Sequence, residues 1–147
     1  MVGAITLVGC LMGSLILLPL ADYQGRRPMN ILFLTTQTFA MFIFISAFVQ
    51  YESYLLLCFA CFVAGSVSIP LVGVMLCYVS ELSTLDMMYF FTGVSFFAEA
   101  ITSIIVGVYF KFYKDCAVFY LIVTVLLLLF LLMYVWLAKE SPHFLFK

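Results

Sequence analysis

In a largely apolar chain, three small groups of polar residues each suggest a chemistry of their own. The first is Ala21-Asp22-Tyr23-Gln24-Gly25-Arg26-Arg27-Pro28, a charged turn between two long apolar runs. Guanidinium groups held at the edge of a low-dielectric layer pair with carboxylates, and bidentate pairs are the strong ones. The second is Glu99, the only carboxylate well inside an apolar run, accompanied by Thr92, Ser95, Thr102 and Ser103 at helical spacing. Residues three and four apart share one helix face. A charge at the centre of a membrane helix costs roughly 2.5 to 3.5 kcal/mol on insertion scales and faces a cavity or a partner. Glu99 therefore reads equally as part of a solute pathway or as a protonated group hydrogen-bonded to another helix. The third group is Thr35, Thr36, Gln37 and Thr38. Its hydroxyls can return to carbonyls of their own helix, whereas Gln37 needs a partner; internal satisfaction is favoured over ligand contact.

Other chemistries find little support. His143 is the sole histidine and lies near the end of the chain, and no nucleophile–base pair or metal-ligand cluster is apparent. No enzymatic activity, metal or cofactor is expected. Cys58 and Cys61 form a C-x-x-C pair without the second ligand pair that zinc needs, and with Cys10, Cys77 and Cys116 they read as small core residues. A net charge of -1 offers no basic surface to nucleic acid.

The elements that must position these groups follow from composition. A chain of 147 residues that is 67% hydrophobic and 9% charged, with a mean hydropathy of +1.30, has too much apolar surface for a water-soluble fold. At roughly 20 residues per span, the pattern predicts an all-α membrane protein of five transmembrane helices. They lie near residues 1–20, 29–49, 54–79, 87–110 and 118–137, in one domain with a tail at 138–147. The lipid bilayer is its first partner. No basic residue precedes the first run, which reads as a retained span rather than a signal peptide. Gly3, Gly9, Gly13 and Ser14 predict close helix packing of that span. Pro28 suits the first turn of the second helix, and Asp115 is placed to cap the last. Pro70, between Gly65 and Gly73, predicts a kink. Ser141-Pro142 predicts the start of a short interfacial helix.

Five hairpin-linked spans bring the 22–27 turn, the Glu81–Asp86 loop and the tail to one face. Arg26, Arg27, Lys139 and Lys147 there, against Lys111 and Lys114 opposite, place that face in the cytoplasm. Arg26 and Arg27 can then meet Glu81 and Glu140.

The charged turn, with Gly13-Ser14 before it, resembles the loop between the second and third helices of the major facilitator superfamily. Tyr78-x-Ser80-Glu81 resembles the end of that family's fourth helix. Glu140-Ser141-Pro142-x-Phe144-Leu145 resembles the segment after the sixth, as in sugar porters and organic ion transporters. The resemblance implies helices two to six of a partial N-terminal bundle, with Asp22, Arg26, Glu81 and Glu140 as a cytoplasmic charge latch. It further implies alternating-access transport of a small organic solute, with Gln37, Ser95, Glu99 and Thr102 as possible pathway residues. Gly25, Pro70 and Pro142 would be its turn or kink positions. Tyr23, Leu18, Cys61, Met88 and His143 depart from the family pattern. Five spans also lack the other half that closes the family's binding site, so further helices from another chain or from the missing half are expected. The alternative is a structural membrane subunit or fragment that keeps the fold without transport.

Overall fold

The computed structural model describes residues 2–49, 53–113 and 115–138. Five helices follow in order: α1 Val2–Gln24, α2 Arg26–Val49, α3 Tyr54–Leu82, α4 Leu85–Phe112 and α5 Cys116–Leu137. All five have segments long and apolar enough to cross a membrane. Most run a turn past the spans expected from hydropathy, because polar residues at the membrane edge can continue a helix whose backbone bonds are already propagating.

The charged turn contracts accordingly. Asp22 to Gln24 remain in α1, Arg26 opens α2, and Gly25 alone separates the helices, with φ +94°. Only a residue without a Cβ takes that conformation freely, so Gly25 fixes the reversal that brings Asp22 and Arg26 together.

Helix α3 is the centre of the bundle: α1 and α2 pack along it, and α5 packs on α2. The core is formed where these elements meet, by Ala21, Met29, Phe33, Val67 and Val74, with Leu17, Leu18 and Leu71 against it. The α1–α3 crossing depends on the absence of side chains. A Cβ on Gly9 would overlap the Phe62 carbonyl, one on Gly13 the Ser66 carbonyl, and one on Gly65 the Thr6 carbonyl. Such an approach points glycine Cα–H bonds at carbonyl oxygens, a recurring feature of helix interfaces. At Gly13 the acceptor has a particular cause. Pro70 has no N–H, so the carbonyl four residues earlier, that of Ser66, loses its usual helical donor. Helix α3 nonetheless runs continuously through the buried Pro70, and α1 approaches the freed carbonyl.

Gly3, by contrast, has nothing within 4 Å of an added Cβ. Asp115 precedes α5 but makes no side-chain capping bond. Pro142, Glu140 and the proposed interfacial helix lie outside the described residues.

Helix α4 stands apart. It touches α3 briefly and packs along no other helix among the described residues, and no residue in its membrane-spanning window is buried. Its far end is tied to α5 by aromatic rings, Tyr109 and Phe110 lying 5.1 and 5.3 Å from Phe119 between centroids.

Candidate functional site at the membrane edge and on helix α4

Propagation of α1 to Gln24 and the immediate restart at Arg26 put Asp22 and Arg26 one turn apart, and the end of α3 lies beside them. Arg26 Nη1 is 2.9 Å from Glu81 Oε1, and Arg26 Nη2 is 3.9 Å from Asp22 Oδ1. The Arg26 and Glu81 side chains are only 21% and 19% exposed, whereas Asp22 is 72% exposed. The inner pair therefore lies between the limits of a solvated ion pair and a fully desolvated one. Nη1 makes no aligned hydrogen bond despite its short distance, so the contact is a charge pair rather than a bidentate fork. Arg26 is the common member, and it joins three helix ends at one level. Beside it is a cleft of about 400 Å³ whose walls include Ser14, Leu18, Asp22, Gly73 and Cys77.

Arg27 turns to a different neighbour. Its Nη2 donates to the Val135 carbonyl near the end of α5 at 3.4 Å, and its buried Nε has no hydrogen-bond partner. One turn on, the fully buried Asn30 donates from Nδ2 to the Tyr134 hydroxyl at 3.0 Å, and Tyr134 meets Tyr78 edge-on at 6.4 Å. This α2–α5–α3 polar seam was not anticipated in the sequence. Its signal is an asparagine inside an apolar run, which can stay there only with a partner. Glu140, the second acceptor expected for the arginines, lies outside the described residues.

The membrane-embedded candidates do not converge. Thr35, Thr36 and Thr38 return their hydroxyls to Leu32 and Leu34 carbonyls of their own helix. Gln37 faces inward on α2, and its buried Oε1 has no hydrogen-bond partner. On α4, Ser95 and Thr102 bond back to the Phe91 and Ala98 carbonyls at 2.9 and 2.8 Å. Glu99 is exposed among them. Helices α2 and α4 do not pack together among the described residues, so the structure does not bring Gln37 to the Glu99 face.

Comparison with protein-family models, curated proteins and solved structures finds no match. What the described residues establish is an all-α bundle of five long apolar helices whose charged residues, Glu99 of α4 excepted, lie at the helix ends: an integral, multi-pass membrane protein.

Proposed function

We propose that the chain forms part of a transporter for a small organic solute, of the sugar or organic ion type, working by alternating access in the manner of the major facilitator superfamily. The observation that carries this reading is the Arg26–Glu81 pair, with Asp22 beside it. It joins the α1–α2 turn to the end of α3 with the residue types and order that the resemblance implies. In this reading Asp22, Arg26 and Glu81 hold the cytoplasmic ends of the bundle in one state of the cycle. Glu140 is proposed as a further acceptor for the arginines of the turn. Gln37, Ser95, Glu99 and Thr102 contribute to the pathway once further helices complete it.

A structural, non-transporting subunit is the second reading, favoured by the separation of Gln37 from the α4 polar face. Glu99→Gln separates the two. Under transport, solute uptake by the reconstituted native assembly falls while assembly mass is unchanged. Under the structural reading, no uptake depends on this chain and only assembly or stability responds.

A further inference from the structure

The polar face of α4 has no occupant among the described residues, and its chemistry defines what fits it. At 3.6 residues per turn, Gly93, Ala100 and Gly107 align two turns apart, beside Thr92, Glu99 and Ser103. Ile101, Ile105 and Val108 point the other way. Phe96 stands between Thr92 and Ser103 on this face, and Phe97 and Ile104 border its glycine edge. A Cβ added to Gly93 or Gly107 would meet nothing within 4 Å, and the Thr92 and Ser103 hydroxyls bond to their own helix. The face is thus shaped for close helix approach, with one carboxyl group whose oxygens need a donor.

Among the described residues no basic side chain forms an ion pair with Glu99. The chain's basic residues are Arg26, Arg27, Lys111, Lys114, Lys139 and Lys147, and no long apolar run encloses one; the nearest on α4, Lys111, is in its last turn. A second copy aligned in parallel would bring carboxyl against carboxyl. Charge complementarity therefore selects a different helix.

We infer that the Gly93–Glu99–Gly107 face of α4 docks a transmembrane helix lying outside these 147 residues, which carries a lysine or arginine at the depth of Glu99 and small residues around it. The inference rests on the reading that further helices complete the assembly.

The test uses the full chain, fluorescently labelled, in phosphatidylcholine vesicles with a synthetic Leu/Ala transmembrane helix bearing either one central lysine or leucine in its place. Energy transfer reports association. The lysine helix is expected to bind wild type roughly tenfold more tightly than the leucine helix, in line with the 1–2 kcal/mol found for polar contacts between model membrane helices. Glu99→Leu should remove that preference, and Gly93→Leu should weaken binding of both helices. Ile105→Leu, on the opposite face, should leave both unchanged. An unaltered thermal transition for each variant shows that the bundle is intact, as expected for positions outside its packing. Equal binding of the two helices, or an equal loss in Ile105→Leu, overturns the inference. So does energy transfer between copies of the chain that Glu99→Leu abolishes, which would assign the face to a second copy. No solute enters the measurement, so its failure and a failure of transport are separate results.

Discussion

Replacing Gly13 by alanine tests the α1–α3 crossing on which the charged end of the bundle depends. The added Cβ would lie 2.8 Å from Ser66 Cα and would overlap the Ser66 carbonyl. All three nearest atoms belong to backbone, so no side-chain rotation can relieve the clash and α1 must move off α3. Overpacking a well-packed interior costs about 1–3 kcal/mol. This site belongs at the upper end, because displacing α1 also withdraws Gly13 from the carbonyl that Pro70 leaves without a donor. Alanine's better helix propensity returns at most about 1 kcal/mol, leaving a net loss of about 1–2 kcal/mol. For a chain of this size that lowers the thermal midpoint by roughly 2–8 °C. The assay is thermal unfolding in detergent followed with a thiol-reactive dye, since Cys61 is buried in the folded bundle at 4% exposure. Gly3→Ala is the internal control, because its Cβ meets nothing within 4 Å. Equal midpoints for Gly13→Ala and Gly3→Ala would refute the close crossing.

Other substitutions probe the remaining joints. Arg26→Ala or Glu81→Ala should each lower stability by about 1–3 kcal/mol, between the values for exposed and buried pairs; the same thermal assay detects it, and Asp22→Ala should have a smaller effect because Asp22 is largely solvated. Tyr134→Phe removes the acceptor of the buried Asn30 amide and should cost about 1–3 kcal/mol, with hydrogen exchange rising first at the facing ends of α2 and α5. Gly93→Ala and Gly107→Ala should leave the isolated chain unchanged or stabilise it by up to about 1 kcal/mol, measured as a midpoint no lower than wild type.

The existence of the five helices was legible because an apolar run of bilayer length has few alternatives. Their ends were less so. Hydropathy drops at Ala21 and at Ser80, but hydrogen bonding continues to Gln24 and Leu82, and the sequence marks only Gly25 as an obligatory break. The glycines of α1 signalled close packing, yet nothing in their spacing distinguished Gly9 and Gly13, which meet α3, from Gly3, which meets nothing. Alternation of loops across the membrane placed Arg26 and Glu81 on one face, and the structure adds their 2.9 Å separation. Arg27 and Asn30 turning to α5 was not legible, because a partner remote in sequence leaves no local pattern. The polar stripe around Glu99 was visible from periodicity. That it lies uncovered depends on α4 packing along no other helix among the described residues, which periodicity does not determine.

The proposal that this chain works in solute transport through a charge latch is tested most directly by uptake measured with the latch charges reversed. Membranes containing the native assembly would be offered a panel of labelled sugars and organic ions, with wild type, Arg26→Glu, Glu81→Arg and the double reversal compared at equal expression. The account predicts that at least one solute is taken up in a chain-dependent manner, that each single reversal lowers its rate, and that the double reversal recovers much of it because the pair is re-formed with opposite sign. Uptake of every solute independent of the chain, or single and double reversals indistinguishable from wild type, would contradict it.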